Sequence, residues 1–424
     1  MKIFLFEDSR VPQLYPVTTG KPAYAISCGS YRLLDLLSEL GGEVHAWVRP
    51  HLRDFRQAQP PGKPPAGEAA ALVNARLVPA AETIDRLGKL LAAKRPGVVR
   101  ASDQHRPEAD RHLHDGLANV ALAVLPPGTE LPAPEAGAAE LDEWFSRTGL
   151  PMLDEPPAPL FDYPHDVIRH HLKILAPNLK RRLAGGGYRE IADGVFVAEG
   201  AQLGQHTVCD TRNGPIVIDE RASVGPHGYL CGPIYLGRSA RVIEQAAIKD
   251  CVALQHTAKV GGEVEGSIIE PYTNKQHHGC LGHSYLGSWI NLGAGTCNSD
   301  LKNTYGTVNM EYHGRKTPTG MQFVGCIAGD YAKTAINTGI FTGKTIGVCS
   351  MVYGFVTTNV PSFTNYARLF GQVTEAPVEV MVATQARMFA RRNVEQRPCD
   401  VQLLHDMYEL TRDERQIAGE PLSL

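Results

Sequence analysis

Residues 216–260, IVIDERASVGPHGYLCGPIYLGRSARVIEQAAIKDCVALQHTAKV, carry a branched aliphatic side chain at every sixth position. These positions are Ile218, Val224, Leu230, Leu236, Val242, Ile248, Leu254 and Val260. Four positions after each of them stands a small or aliphatic residue: Ala222, Gly228, Ile234, Ala240, Ala246, Val252, Ala258 and Val264. A helix repeats every ~3.6 residues and a strand every second residue, so neither produces a strict spacing of six. The spacing predicts a triangular prism of short parallel strands, whose stacked three-sided coils bury one continuous core.

The six-residue repeat continues on both sides of this stretch. Its further members are Val197, Leu203, Leu286, Leu292 and, after an interruption, residues around Val324, Ile336, Val348 and Val360. The interruption, KNTYGTVNMEYHGRKTPTG at residues 302–320, is predicted to protrude from a coil as a loop. The pattern resembles that of the hexapeptide-repeat proteins. This resemblance, and not the spacing, implies that the parallel β-helix is left-handed.

The first part of the chain has a different pattern. Residues 2–6 (KIFLF), 43–48 (EVHAWV) and 71–77 (ALVNARL) read as strands, and they alternate with amphipathic segments that predict helices. Such alternation predicts an α/β domain with a mostly parallel sheet. We expect this domain at residues 1–164, a helical connector broken at Pro177 at residues 165–190, the prism at residues 191–361 and a helical C-terminal extension at residues 362–424.

Composition excludes several classes of protein. The 424 residues carry a formal net charge of -3, which does not favour binding to nucleic acid or to an anionic membrane. The apolar run at the N-terminus is broken by Glu7 and Asp8 and is too short for a signal peptide or a membrane span. Nine cysteines without a C-x-x-C pair predict reduced thiols. We therefore expect a cytoplasmic protein.

One coil of the prism carries an unusual motif, GHSYLGSWINLGAGTCN at residues 282–298. It resembles the acetyltransferase half of the bifunctional N-acetylglucosamine-1-phosphate uridyltransferase/glucosamine-1-phosphate N-acetyltransferase family. The matching residues are Gly282, His283, Tyr285, Leu286, Gly287, Asn291, Gly293, Ala294, Gly295, Thr296, Cys297 and Asn298. The order of an α/β domain followed by a prism also fits that family over nearly the whole chain.

The chemistry of such a site is acyl transfer from a thioester to an amine. The attacking amine loses a proton, for which a histidine is a suitable base, and a backbone N–H in a glycine-rich turn can stabilise the oxyanion. The resemblance implies that His283 is the base and that the Ala294 N–H is the oxyanion donor. It also implies that acetyl-CoA is the acyl donor. Tyr285, Asn291 and Asn298 stand where the family holds the sugar phosphate.

The sequence departs from the family at several of these positions. His283 and Tyr285 are separated by one residue fewer, and Ser299 replaces a tyrosine. The upstream lysine pair is replaced by Tyr272 and Thr273. Lys275 lies close to that pair, and Lys302 can take the place of the downstream lysine, so both are substrate-binding candidates. These departures make acyl transfer a firmer expectation than glucosamine 1-phosphate as the acceptor.

Metal binding is an alternative use of the same histidines. His278 and His283 are five residues apart, a spacing that hexapeptide-fold carbonic anhydrases use for two of three zinc ligands. His256 or His227 would supply the third ligand from another coil. Catalytic zinc requires three protein ligands and an open position, but it does not require the NLGAGTCN motif. We therefore predict no bound metal in the prism.

The N-terminal domain resembles the opening of the sugar nucleotidyltransferases, with Glu7-Asp8-Ser9 in place of the glycine-rich phosphate loop. Arg10, Lys21 and Asn74 are the nucleotide-site candidates by this resemblance. Asn74 ends a strand where the family places a metal-binding aspartate. The two carboxylates would repel a triphosphate unless a cation intervened, which leaves Mg²⁺ open as a cofactor.

The combined hypothesis is an acyl-CoA-dependent N-acyltransferase for an amino-sugar phosphate or nucleotide sugar, fused to a sugar-1-phosphate nucleotidyltransferase-like domain. The resemblance further implies a homotrimer with CoA in a groove between subunits. A non-catalytic trimeric scaffold or regulatory homologue is the alternative from another class of protein. The acceptor sugar, the nucleotide and the activity of the first domain are left open.

Overall fold

The computed structural model describes residues 2–62, 70–102, 104 and 116–417. The chain forms two compact units. The first contains Met1–Leu14, Gly20–Ser27 and Tyr31–Asp166, and the second contains Tyr15–Thr19, Cys28–Ser30 and Val167–Leu424. Two short segments near the N-terminus therefore belong to the second unit.

The first unit is built on a five-stranded sheet. Its strands are β1 (Lys2–Phe6), β2 (Glu43–Trp47), β3 (Ala70–Asn74), β4 (Gly97–Arg100) and β5 (Val120–Leu125), in the order β2-β1-β3-β5-β4. The three predicted strands are confirmed, and β1 pairs in parallel with β2 and β3. However, β5 runs antiparallel to both β3 and β4, so the sheet is mixed and not mostly parallel. All six residues of β5 are buried, and a strand buried on both faces has no hydrophobic pattern that indicates its direction.

The described residues up to Ala184 also form four α-helices. They are α1 (Leu33–Ser38), α2 (Ala81–Ala93), α3 (Ala138–Ser146) and α4 (Pro164–Ala184). The expected break at Pro177 is wrong, because α4 continues through this residue. Leu175 and Leu179 on either side of Pro177 are fully buried against Val217 and Tyr235. This packing offsets the backbone hydrogen bond that a proline cannot make.

The second unit is a parallel β-solenoid. Its lower coils contain β6 (Arg189–Ala192), β7 (Val195–Val197), β8 (Gln202–Leu203), β9 (Val208–Asp210), β10 (Ile216–Ile218), β11 (Ser223–Val224), β12 (Tyr229–Cys231), β13 (Ile234–Leu236), β14 (Arg241–Val242), β15 (Ala247–Lys249), β16 (Val252–Leu254), β17 (Lys259–Val260), β18 (Glu263–Glu265), β19 (Ile268–Ile269), β20 (Asn274–Lys275) and β21 (Cys280–Gly282). From β7 onward, successive strands enter three different sheets in turn, and each strand pairs with the third strand along the chain, whereas β6 pairs antiparallel with β7. This is the predicted prism.

The upper coils continue the same arrangement around an inserted hairpin. Their strands are β22 (Tyr285–Leu286), β23 (Cys297–Asn298), β24 (Asn309–Tyr312), β25 (Arg315–Pro318), β26 (Cys326–Ala328), β27 (Lys333–Thr334), β28 (Gly339–Ile340), β29 (Lys344–Ile346), β30 (Met351–Val352), β31 (Phe355–Val356), β32 (Thr364–Ala367) and β33 (Gln372–Glu375). The predicted loop is the antiparallel hairpin β24–β25. The helices α5 (Val378–Ala390), α6 (Pro398–Leu410) and α7 (Arg412–Ile417) form the helical end of the chain. It begins at Val378 and not at residue 362, because β32 pairs in parallel with β30 and β33 extends the same sheet.

The six-residue register is confirmed through the lower coils. All eight aliphatic residues from Ile218 to Val260 are at most 3% exposed and lie in one core cluster. The frame after the hairpin is wrong at Ile336, which is 69% exposed. The inward positions after the hairpin are Ala328, Ile340, Ile346 and Val352, with Thr334 between the first two, and they continue in steps of six from Leu286 and Leu292. Ile336 falls at a turn between two sides.

One inward position holds a lysine. Lys275 pairs in register with Val260 and is only 2% exposed. Its Nζ donates hydrogen bonds to the carbonyls of Gly261 and His277, each at 2.8 Å. Burial lowers the pKa of Lys275 to about 8. The ammonium group thus stabilises the backbone of two coils, and it lies inside the solenoid where solvent does not reach it.

None of the helices in the described part of the chain combines the length and apolarity of a membrane span.

The buried lysine generates a prediction about stability and pH. Between pH 8 and 10.5 the unfolded chain binds more protons at Lys275 than the folded chain does. The free energy of unfolding should therefore rise with pH in this window, by about 2–3 kcal/mol from this residue. Lys275→Met should lose that rise while remaining folded, which urea unfolding at several pH values would measure. Lys180→Met, at an exposed position of α4, is the matched control. Equal pH dependence of wild type and Lys275→Met would contradict the inward placement.

Candidate active site

His283 lies at a corner of the solenoid, between β21 and β22. Its φ of 43° is in the left-handed region that lets the chain turn to the next side of the prism. The His283 N–H donates to the Glu265 carbonyl at 2.9 Å, and the His283 carbonyl accepts from the Gly325 N–H at 2.8 Å. The corner is therefore fixed by the coil before it and the coil after it. About 14% of the side chain is exposed.

The imidazole of His283 forms a pair with Asp300. The distance from His283 Nδ1 to Asp300 Oδ2 is 2.7 Å. The hydrogen bond from His283 is the main cause that lowers the pKa of Asp300, although partial burial opposes it. An ionised carboxylate can only accept, so Nδ1 carries a proton, and in a neutral imidazole Nε2 is then the acceptor. A carboxylate in this position holds an imidazole in one tautomer, an arrangement that is able to serve as a general base.

Three glycines allow the close packing around this pair. A Cβ on Gly282 would stand 2.2 Å from Asp300 Oδ2, and one on Gly266 would stand 2.8 Å from the His283 ring. At Gly325 a Cβ would meet the Gly282 carbonyl oxygen at 2.0 Å. The ring of Phe323 stacks on His283 with a centroid distance of 5.2 Å. Backbone and Phe323 therefore hold the imidazole in one orientation.

Asn298 supports the same corner from the next coil. Its Oδ1 accepts from the Gly282 N–H at 2.8 Å, and its Nδ2 donates to the Gly282 carbonyl at 3.0 Å. The side chain is only 8% exposed. The structure therefore brings Asn298 next to His283, where it fixes the backbone of the preceding residue, Gly282.

Ala294 lies at a different corner of the prism, between the side that contains Asn291 and β23. Its carbonyl accepts from the Asn337 N–H at 2.7 Å. Within the described residues the Ala294 N–H has no acceptor, as expected for a donor reserved for a ligand. Because each coil turns from one side to the next between Ala294 and His283, a single chain does not bring the two groups to one corner.

The remaining substrate-binding candidates are dispersed. Asn291 is exposed on its side of the prism. Tyr285 is fully buried, and its hydroxyl donates to Glu270 Oε1 at 2.8 Å, so it does not face solvent. Lys275 lies in the core, and Lys302 Nζ donates to the Thr307 carbonyl at 2.8 Å at the base of the hairpin.

Two of the three nucleotide-site candidates belong to a buried ionic network in the first unit. Arg76 is fully buried and pairs with Asp8 at 2.7 Å and Asp162 at 2.9 Å. Arg10 contacts Asp162 at 3.0 Å, and Asn74 Nδ2 donates to Asp8 Oδ2 at 2.8 Å. Burial raises the pKa of Asp8. The charge of Arg76 and the hydrogen bonds from Arg76, Asn74 and Arg10 lower it by more, so the pKa is below its usual value.

The cation that the two carboxylates require is supplied by the protein. Arg76 binds Asp8, and Arg49 Nε lies 3.0 Å from Glu7 Oε2. Arg49 Nη2 also donates to the Lys21 carbonyl at 2.9 Å, which connects the third candidate to this network. These residues do not fit a Mg²⁺ site, because both oxygens of Asp8 already accept from Arg76.

The zinc alternative finds no support in the arrangement of side chains. Among the described residues there is no group of three or more His, Cys, Asp or Glu side chains placed to hold a metal ion. His283 Nδ1 contacts Asp300, whereas the His227 ring stacks on His206 at 5.0 Å and the His256 ring contacts Tyr272 at 5.2 Å.

Sequence reasoning missed Asp300, Phe323 and Arg76. Asp300 follows His283 by 17 residues, close to one coil of eighteen, and this spacing could have indicated that both stand at one corner. Phe323 reaches the site only because the hairpin returns to the corner from which it left. No pattern in the sequence indicated the buried Arg76.

Comparison with known proteins places the first part of the chain. Residues 3–183 match the family model described as sugar nucleotidyl transferase. A bifunctional sugar-1-phosphate nucleotidylyltransferase/acetyltransferase of Sulfurisphaera tokodaii is 26% identical over 33% of this chain and 35% of its own length. The bifunctional protein GlmU of Methanococcus vannielii is 28% identical over 34% of each chain. The matches span about a third of the length of these relatives.

Two acyltransferases are among the solved structures that have a low overall similarity to this chain. Arabidopsis UDP-N-acetylglucosamine acyltransferase has 10% identity and a TM-score of 0.28, over 55% of this chain and 99% of that one. AntD, an N-acyltransferase from Bacillus cereus, has 12% identity and a TM-score of 0.20, over 50% and 96%. The solenoid itself is established by the strand pairing. Residues 3–183, which precede it, are similar to the sugar nucleotidyl transferase family.

Proposed function

We propose that this protein is an acyl-CoA-dependent N-acyltransferase that acts on an amino-sugar phosphate or a nucleotide sugar, joined to a sugar-1-phosphate nucleotidyltransferase-like domain. The observation that carries the proposal is the 2.7 Å contact between His283 and Asp300 at a corner of a hexapeptide solenoid. The bifunctional names of the two curated relatives support the combination of activities.

In the proposed reaction, His283 Nε2 accepts a proton from the amine as the amine nitrogen attacks the thioester carbonyl. The new C–N bond forms, the C–S bond breaks, and the proton passes to the departing CoA thiolate. Asp300 stabilises the imidazolium that exists between these steps. The Ala294 N–H is the proposed donor to the oxyanion, since it has no acceptor within the described chain.

We propose a homotrimer in which the active site lies between neighbouring subunits. His283 and Ala294 occupy different corners of one prism, so base and oxyanion donor meet only if a corner of one copy faces another corner of its neighbour. A threefold assembly contains such contacts between unlike surfaces. CoA would then lie in the groove between copies.

For the first unit we propose that Lys21, which is partly exposed, contacts the nucleotide. Arg10 and Asn74 are 4% and 0% exposed, and their side chains hold Asp162 and Asp8. Their proposed role is therefore to fix the loop at residues 7–10, on which the nucleotide would rest.

Removal of the base tests the proposed chemistry. His283→Ala should lower kcat about 10²–10⁴-fold, while the KM for acetyl-CoA changes little, because CoA does not depend on this imidazole. Asp300→Asn should also lower kcat, since an amide can donate to Nδ1 and select the wrong tautomer. Release of free thiol from acetyl-CoA with a panel of amino-sugar phosphates is the measurement.

The neighbouring exposed histidines supply the controls. His277→Ala and His278→Ala should retain wild-type turnover. Near-complete activity of His283→Ala at saturating substrate would reject the mechanism. An equal loss of activity in His278→Ala and His283→Ala, together with stoichiometric zinc, would favour the alternative of a zinc site like that of the hexapeptide-fold carbonic anhydrases.

The position of the site between subunits is tested by complementation. Ala294→Pro removes the N–H without breaking a hydrogen bond recorded within the described chain. Neither Ala294→Pro nor His283→Ala should be active alone. A co-assembled equal mixture should recover about a quarter of wild-type activity, because random mixing gives about that share of the interfaces both an intact His283 and an intact Ala294 N–H. Light scattering verifies the trimer. A mixed trimer that stays inactive, or a protein that stays monomeric, would contradict the arrangement.

A further inference from the structure

A cavity of about 380 Å³ lies beside the hairpin β24–β25, on the second unit. Among its lining residues are Lys302, Lys316, Lys344, Thr342, Thr357 and Thr358. Its size is within the range of pockets that hold small-molecule ligands. Three lysines and three threonines around one space are the side chains that suit a phosphate group, as cations and hydroxyl donors.

The charges of this cavity are not balanced by the protein. Glu311 is the only acidic residue among its lining residues, against three lysines, which leaves a formal charge of +2. In the described part of the chain, Lys316 and Lys344 form no salt bridge. Burial lowers the pKa of Lys344; Glu311 opposes this decrease, and the charge of Lys316 adds to it. Lys316 and Lys344 therefore repel each other, and a bound anion would remove that repulsion.

The walls of the cavity are held by specific hydrogen bonds. Asn359 Nδ2 donates to the Glu311 carbonyl at 2.8 Å, and Asn359 Oδ1 accepts from the Thr345 N–H at 3.0 Å. These bonds join the hairpin to the last coils of the solenoid. The lysines of the hairpin and of β29 therefore face the same space because the fold positions them there.

The cavity is also connected to the proposed base. Thr342 Oγ1 donates to Ser299 Oγ at 2.8 Å and contacts the Leu301 carbonyl at 3.1 Å. Ser299 and Leu301 flank Asp300, the partner of His283. A wall of the cavity is thus hydrogen-bonded to the segment that carries Asp300.

We infer that this cavity binds a phosphate group carried by one of the two substrates of acyl transfer. The identity of the carrier rests on the proposed function, whereas phosphate binding itself does not. The phosphate can belong to the 3′-phosphorylated nucleotide end of CoA or to the sugar phosphate. Lys316 and Lys344 are the specificity-determining residues in either case, with Lys302 as a third cation.

Direct binding of inorganic phosphate to the full chain tests the site without turnover. Calorimetric titration should show binding that weakens with salt, and Lys316→Gln/Lys344→Gln should weaken it tenfold or more, since two charge-assisted contacts are lost. Lys180→Gln, an exposed lysine on α4, should bind like wild type. Glu311→Gln removes the opposing carboxylate and should tighten binding severalfold, which keeps the test valid if the double variant does not fold.

Kinetics then identify the carrier. If the phosphate is that of CoA, the double variant should raise the KM for acetyl-CoA and lose the preference of wild type for acetyl-CoA over its 3′-dephospho form. If it is that of the sugar, the KM for the sugar phosphate should rise and the unphosphorylated amine should react equally in both proteins. Lysine-dependent phosphate binding without acyl transfer would support the cavity and reject the proposed function. No phosphate binding by wild type, or equal binding by wild type, the double variant and Glu311→Gln, would overturn the inference.

Discussion

The stacking of inward aliphatic side chains at every sixth residue is the constraint on which the second unit depends. Each coil must bury its own side chains on those of the coil below, because a single coil cannot cover its apolar face. The register from Ile218 to Val260 therefore fixes where the corners of the lower coils lie. His283 and Asp300 meet because both stand at the same corner of successive coils. The proposed catalytic pair is thus a consequence of the repeat, with the glycines at 266, 282 and 325 providing the space.

The parts of the fold that were predictable are those governed by this repeat. Hydrophobic spacing identified the solenoid, the position of an inserted loop and the C-terminal helices without any tertiary information. The expectation at Ile336 failed because this residue lies two positions off the steps of six from Leu286 and Leu292, on which the inward residues Ala328, Ile340, Ile346 and Val352 lie. Nor could this spacing place Lys275, because a lysine on an inward position is unfavourable unless backbone carbonyls accept hydrogen bonds from its ammonium group. Only the folded coils show that they do.

The sequence indicated His283, the central residue of the candidate site, but only some of the residues around it. A motif can suggest His283 as a base, but the carboxylate that orients it comes from the next coil, and Phe323 comes from the end of a long insertion. Local resemblance placed Tyr285 near a substrate, whereas packing buries it against Glu270. In the first unit, Arg10 and Asn74 were read as ligands of a nucleotide, yet their side chains hold the buried aspartates. Partners that are distant in sequence cannot be inferred from spacing alone.

The central claim is that acyl transfer takes place at the His283–Asp300 corner. The most direct measurement is a structure of the protein with a non-reactive acetyl-CoA analogue and an amino-sugar phosphate. The account predicts that the amine nitrogen lies within hydrogen-bonding distance of His283 Nε2 and about 3–3.5 Å from the carbonyl carbon. It also predicts that the carbonyl oxygen faces the Ala294 N–H of an adjoining subunit. An analogue bound with its acyl group away from His283 would contradict the account.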